Sequence, residues 1–336
     1  MPSWLRGPAV GNVLLVVGFF VCIWLPLADL LLGLEWAPRI VENRLAAPPP
    51  HLAWTRRTVV QFPREFEAYW NDRFGFRRTL IRLHALASVR LGVSPSQQVV
   101  FGKSGWLFFA EEIPYLNPLH RAPLSEEQLV HWRRELERRR DALAAQGAHY
   151  LFVVVPNKAT IYPEYLPDAL TPPGTPTDLD RLMAHLRDHP GVDVLDLRDA
   201  LVEAKRRDLV YHPTDTHWNE LGAHTAYAAI LARLARQVPG MSAAPSSFDA
   251  VSGPALGGDL ADMVGLREHF AREAVTVRPR EPRRARPATT KVPGPPRGRL
   301  SHATELPDAA GPRALVFIDS FGDALAPFLS EHFARA

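Results

Sequence analysis

From Gly7 to Ala28 the chain reads GPAVGNVLLVVGFFVCIWLPLA, a run of 22 residues without a charge. A helix rises about 1.5 Å per residue, so this run is long enough to cross a hydrocarbon layer of roughly 30 Å. The remainder must then fold as a body on one side of the span. A cleavable signal would show a shorter apolar centre and a small-residue A-x-A-like site, whereas Trp24, Pro26 and Asp29 stand here. The expectation is an uncleaved anchor over residues 1–34, inserted in the inner (cytoplasmic) membrane through residues 7–28; its length and terminal position count against a buried soluble helix. Arg6 and the amino terminus precede the span, and Asp29, Glu35 and Glu42 follow it against Arg39 and Arg44. The positive-inside tendency places the rest of the chain outside the cytoplasm, in the periplasm or an equivalent space. The single cysteine, Cys22, lies in the span, which excludes an intramolecular disulfide and a cysteine-based metal site.

Residues 35–60 include Pro48-Pro49-Pro50, which cannot continue a helix, and they read as a stiff extended linker. The body is expected over 61–336. Phe66, Trp70, Phe74, Leu80, Leu83, Leu86 and Leu91 recur at helical spacing, interrupted near Gly75, and predict two helical pieces. FGKSGWLFF at 101–109 predicts a hairpin turn. Ser125-Glu-Glu-Gln has the form of a capping box, followed by an apolar stripe and closed by Gly147. HYLFVVVPN predicts a buried strand. Helices near 178–188, 198–207 and 220–238 then alternate with a strand at VDVLDL. A last apolar run, ALVFID at 314–319, predicts another strand, followed by a helix interrupted at Pro327. This order predicts a three-layer α/β fold with a mainly parallel sheet.

Charge excludes little and locates one feature. Lys and Arg total 39 against 36 for Asp and Glu, so nothing global draws the chain to nucleic acid. Residues 278–299, RPREPRRARPATTKVPGPPRGR, hold seven arginines and Lys291 against Glu281, among six prolines. That composition fits first a solvated, poorly ordered insertion; the alternative is a basic strip meeting an acidic polymer or anionic head groups.

In open α/β sheets the reactive groups gather at the carboxyl ends of strands. Ser320 would sit there, at a strand-to-helix turn, with the amides of Phe321 and Gly322 forming a cradle for an oxyanion. Serine needs an adjacent base. Asp215 and His217, two apart in YHPTDTHWN, would share one side of an extended segment, with the carboxylate orienting the imidazole. Nucleophile, base and orienter are then all present, whatever their order in the chain. A serine at this place can also be a plain helix N-cap, and a histidine a satisfied structural group. His212, His217 and His224 with Asp215 could instead ligate a metal, but His224 falls on the following helix and the spacing matches no familiar zinc site. Asn157 and Lys158 follow another strand's carboxyl end and are candidate donors to substrate. Trp218 supplies either core packing or a face for a sugar ring, and Asn219 caps the next helix.

NDRFGFR at 71–77, FGKSGWLFF, VVPNKATIYPE at 154–164, DTHWNELGAH at 215–224, GGDLADMVGL at 257–266 and DSFGDALAPFLSEHF at 319–333, with ENR at 42–44, resemble in order the alginate O-acetyltransferase family. This is the AlgJ and AlgX group, with an SGNH-hydrolase-like domain. The resemblance implies a circularly permuted SGNH domain with Asp215, His217 and Ser320 at the triad positions. It implies an O-acetyltransferase that takes acetyl as an ester on Ser320 and passes it to a hydroxyl of an exported polysaccharide, without metal or cofactor. It further implies a membrane-bound O-acyltransferase as the partner that supplies acetyl. Ile318 departs from the glycine common in the family before Asp-Ser, and the family continues past the helix after the serine, so a chain truncated at its C-terminus is expected. An acetylesterase using the same triad, and a non-catalytic polysaccharide-binding subunit, are the alternatives.

Overall fold

The structure is a computed structural model that describes residues 8–37, 45–51, 53–113, 116, 123–170, 174, 176–288, 302–307 and 311–336. Arg6, Arg39, the ENR motif at 42–44 and residues 289–299 of the basic segment lie outside the described residues. The chain divides into two compact units, one of residues 1–95 with 262–266, the other of 96–261 with 267–336.

In the first unit, α1 (Pro8–Leu32) contains 23 residues, Val10–Leu32, long and apolar enough to cross a membrane and almost wholly exposed. Helix α2 (Arg56–Arg73) begins with a reciprocal Thr55–Thr58 capping box, so residues 56–60 are helical and not linker. Phe62, Phe66 and Trp70 stack successively along it and Phe74 meets Trp70 edge-on, with ring centroids 5.9–6.2 Å apart. The break before α3 (Arg77–Arg90) falls where the sequence predicts. Gly75 is obligatory there, because a Cβ would lie 1.9 Å from the Pro26 carbonyl oxygen. Asp29, 8% exposed, accepts the Phe76 amide at 2.8 Å and the Glu35 amide at 2.5 Å. Glu35 in turn accepts from Thr79 and Arg78, so the end of α1 and the start of α3 share a carboxylate network. Residues 61–95, placed in the body by the sequence, belong to this unit.

In the second unit β1 (Val99–Phe101) and β2 (Leu107–Phe109) pair antiparallel around a turn in which Ser104 and Gly105 both take positive φ. Helix α4 (Glu126–Ala144) starts at the Ser125–Gln128 capping box, and Gly147 follows its end at φ 73°. Strands β3 (Leu151–Val154) and β4 (Asp193–Asp196) pair parallel in full register. They are half-buried, not fully buried, and their faces alternate as a two-residue period demands. Phe152 and Val194 pack with α4 and α6 (Asp178–Asp188), through Leu129, Leu136, Leu182 and Leu186. Val153 and Leu195 face the larger core, to which α7 (Arg198–Lys205) and α8 (Glu220–Leu234) contribute Leu201, Tyr227 and Leu231. Between α4 and α7 lies the short helix α5 (Lys158–Ile161).

No mainly parallel sheet forms among the described residues, where the parallel ladder is confined to β3–β4. The other pairings are antiparallel: β1–β2, the eight-residue hairpin β5 (Phe248–Ala255) with β6 (Arg272–Pro279), and the short β7 (Arg286–Pro287) with β8 (Thr304–Glu305). Helix α9 (Asp259–Met263) lies between β5 and β6 in sequence. The run 314–319 forms no strand. An apolar segment becomes one only where a neighbour offers a ladder, and here Arg313 bridges to Arg335 while the Ala314 amide donates to the Arg335 carbonyl at 2.9 Å. The rest pairs with no strand among the described residues, with Leu315 78% and Phe317 89% exposed. Helix α10 (Gly322–Leu329) follows and runs through Pro327 without interruption, packing Leu325 and Phe328 into the core.

Candidate active site

Residues 210–219 form a closed loop and not the extended segment predicted. Tyr211 and Trp218 meet in an antiparallel bridge, the His212 amide donates to the His217 carbonyl at 3.3 Å, and the Asp215 amide to the His212 carbonyl at 3.4 Å. Buried aromatic residues at both ends seat the loop on the core, since Tyr211 and Trp218 are 0% and 2% exposed. Asn219 closes the turn into α8, its side chain accepting the Gly222 amide at 2.9 Å and donating to the Leu209 carbonyl at 2.7 Å. Inside this bend Asp215 folds back on its own chain: Oδ1 accepts both the His217 amide, at 3.0 Å, and Nδ1 of the same residue, at 2.7 Å. The opposite ring nitrogen, Nε2, lies 2.8 Å from Ser320 Oγ. The structure thus brings together Asp215, His217 and Ser320, the last from a turn 103 residues further on.

Two residues that sequence reasoning did not single out complete the support. Asp259, at the start of α9, accepts the Thr216 amide at 2.8 Å and the Thr216 hydroxyl, while its own amide donates to Asp215 Oδ2 at 2.9 Å. With its hydroxyl proton given to Asp259, Thr216 Oγ1 can also accept from His217 Nδ1 at 3.1 Å. Gly258 lies directly against the carboxylate; a Cβ would sit 2.4 Å from Asp215 Cβ and 2.5 Å from Oδ2. The signal for both was present in the GGDLADM motif, whose glycine admits close approach and whose aspartate begins a helix.

The electrostatics follow from this geometry. Burial pushes the Asp215 carboxyl up, but hydrogen bonds from His217 and from the amides of Asp259 and His217 outweigh it and hold the group well below the carboxylate range. The Asp215 hydrogen bond raises His217 above its ordinary value against burial, and the charges of Asp215, Asp259 and Glu112 add to the rise. Desolvation lowers His212, which makes it a poor proton carrier at neutral pH.

The other site residues fall differently. The Phe321 amide is taken by Asp319 Oδ1 at 3.0 Å and the Gly322 amide by the Asp319 carbonyl at 3.0 Å, so the expected cradle is already filled by an aspartate turn. Trp218 is not a sugar-stacking face: it is buried, its ring meets Phe321 edge-on at 5.3 Å, and its Nε1–H donates to the Phe321 carbonyl at 3.0 Å. Lys158 is no surface donor either; it is fully buried beneath the loop, its ammonium on backbone carbonyls. Asn157 is exposed and its side chain does not cap α5. Asp215, His217 and Asp259 present ligand atoms within 4.8 Å of one another, the spacing an ion would need, but the hydrogen bonds above already occupy their facing oxygens. His224 instead faces Ser246, its Nε2–H donating to the Ser246 carbonyl at 3.0 Å, and packs on Phe248.

Residues 99–310 match the family described as ALGX, SGNH hydrolase-like domain, acetyltransferase AlgX. This range holds Asp215, His217 and Asp259 and stops before Ser320. Among curated proteins the chain is similar to the probable alginate O-acetylase AlgJ of Pseudomonas aeruginosa, with 33% identity over 207 residues, 58% of this chain and 47% of that protein. It is also similar to that of Pseudomonas syringae pv. tomato, with 28% identity over 207 residues, 61% of this chain and 51% of that protein. The chain spans about half the length of these curated relatives. Among solved structures it resembles the O-acetyltransferase domain of Pseudomonas putida AlgJ, with 30% identity over 55% of this chain and 66% of that one, at a TM-score of 0.39.

Proposed function

Because the chain belongs to the SGNH hydrolase-like domain family of the acetyltransferase AlgX, we propose that it is a serine-dependent O-acetyltransferase acting on hydroxyls of an exported polysaccharide of the alginate kind. The observation that carries the mechanism is the continuous path from Asp215 through His217 Nδ1 and Nε2 to Ser320 Oγ, at 2.7 and 2.8 Å. Asp215 fixes the tautomer with the proton on Nδ1, leaving Nε2 to accept the serine proton. Oγ then bonds to the acyl carbon of the donor, His217 returns the proton to the leaving group, and acetyl remains as an ester on Ser320. A sugar hydroxyl gives its proton to Nε2 as its oxygen attacks that ester, the acetyl moves to the sugar, and the proton passes back to Ser320. Of the amides at the nucleophile, that of Ser320 itself has no acceptor among the described residues and is the donor available to the developing oxyanion, with the exposed Asn157 side chain as a second.

The anchor α1 would hold this centre at the outer face of the inner membrane, beside a membrane-bound O-acyltransferase that supplies acetyl. Brief incubation of the protein with a chromogenic acetyl ester, acid quenching and mass spectrometry of the peptides should find acetyl on Ser320. Absence of that ester while donor is being consumed would overturn the mechanism. The exposure of Ser320 admits water as acceptor and so supports an esterase reading beside the first. The two differ when oligosaccharide is added: transfer predicts acetylated sugar at the expense of free acetate, whereas undiminished acetate release without acetylated sugar would identify an esterase.

A further inference from the structure

Lys158 stands at the start of α5, four residues past the end of β3, and is 0% exposed. Its Nζ donates to three carbonyls of the catalytic loop, those of His212 at 3.3 Å, Pro213 at 3.2 Å and Asp215 at 2.6 Å. Three acceptors match the three protons of an ammonium; a neutral amine has two and would turn its lone pair on one carbonyl. The rings of Phe108 and Trp106 lie 5.2 and 5.9 Å from the same nitrogen and complete a dry, cation-compatible seat. These carbonyls bracket the turn whose side chains meet Ser320.

We infer that Lys158 is a positioning residue for the proposed acyl transfer: its ammonium, docked on the carbonyls of residues 212, 213 and 215, holds the bend that aims His217 at Ser320. The inference rests on reading the site as a serine acyl-transfer centre. It also gives the site a titratable pin. The charged groups facing Lys158 are Glu112 after β2, Asp215 in the loop, Asp259 on α9 and Arg272 on β6. Burial pushes the ammonium down to about 7, while the three carboxylates pull upward and Arg272 adds to the fall. The same burial raises Glu112, whose Oε2 has no hydrogen-bond partner among the described residues, to about 7. Loss of the Lys158 proton on going alkaline leaves one loop carbonyl without a donor and loosens the turn.

The full chain is tested with 4-nitrophenyl acetate as acyl donor, comparing wild type, Lys158→Met, Lys158→Arg and Ser320→Ala, with thermal unfolding as the check on folding. Methionine keeps length and apolarity but donates nothing, and kcat is expected to fall by about tenfold to a hundredfold, with KM within about twofold. Arginine stays charged at every working pH, so its variant retains turnover and loses the alkaline limb of the wild-type profile. A folded methionine variant with wild-type kcat and an unchanged alkaline limb overturns the inference. If neither variant folds, NMR decides on the wild type, because Lys158 is one of only four lysines with Lys103, Lys205 and Lys291. Its side-chain signal should titrate together with the downfield Nδ1 proton of His217; titration that leaves that proton unmoved overturns the positioning role. Should Ser320→Ala turn over donor like the wild type, it is the serine mechanism that fails, and the assay separates the two.

Discussion

If the proposed mechanism operates, Ser320→Ala and His217→Gln should each lower acetyl transfer by about 10⁴-fold or more, with the double variant no worse than either alone. In that mechanism nucleophile and base act as one unit, so removing either would remove the covalent route and leave only binding and oxyanion stabilisation. Neither change should unfold the protein: Ser320 is exposed and makes its side-chain hydrogen bond to His217 alone among the described residues, and glutamine approximates the imidazole in size. The pH profile supplies the sign. His217 must be neutral at Nε2 to accept the serine proton, and Asp215 raises its pKa above the ordinary 6.5, so turnover should rise with pH through a midpoint above that value. Asp215→Asn removes the carboxylate that raises it; the midpoint should move down as kcat falls, because an amide no longer secures the Nδ1 proton. Steady-state kinetics from pH 5 to 9 with circular dichroism at each end checks both statements. An acid limb that stays in place in Asp215→Asn would show that the two side chains are not electrostatically joined.

Trp218→Ala is expected to cost about 3–5 kcal/mol of stability, the range for emptying a buried aromatic site. The indole fills the junction of loop 211–218 with α10 and is among the largest fully buried side chains. It also has a second task that phenylalanine isolates. Its Nε1–H donates to the Phe321 carbonyl, one residue after the nucleophile, so Trp218→Phe keeps most of the packing and loses a hydrogen bond of about 1 kcal/mol. The phenylalanine variant should therefore unfold only slightly below wild type while losing disproportionate kcat, as Ser320 is released from its register with His217. Denaturant unfolding together with kcat and KM for both variants tests the split. Equal proportional losses of stability and turnover in the two would reduce Trp218 to packing alone.

The elements legible in the sequence are those whose determinants are local. Ser125 with Gln128, the Lys103-Ser104-Gly105 turn, Asn219 before α8 and the short apolar runs of β3 and β4 each express a hydrogen bond or a composition complete within a few residues. Asp215 and His217 were legible for the same reason, although the bend that joins them replaces the extended segment their spacing suggested. The run Ala314–Asp319 shows the limit. Its composition is that of a strand, but a strand exists only through a neighbour, and Arg335 takes up the pairing at its start.

By itself the sequence determined the apolar span, the caps and turns, the alternating helices and strands of residues 125–234, and the chemical kinds of the serine, histidine and aspartate that meet at the candidate site. Only the tertiary structure decided that the Phe321 and Gly322 amides are consumed by Asp319, that Trp218 is a clamp, and that Asp259 braces Asp215. It alone placed Lys158 under the loop, across 54 to 57 residues of chain. The reason is physical: a side chain's type sets what it can donate or accept, whereas its partner is set by which distant backbone groups are buried beside it and must be satisfied there.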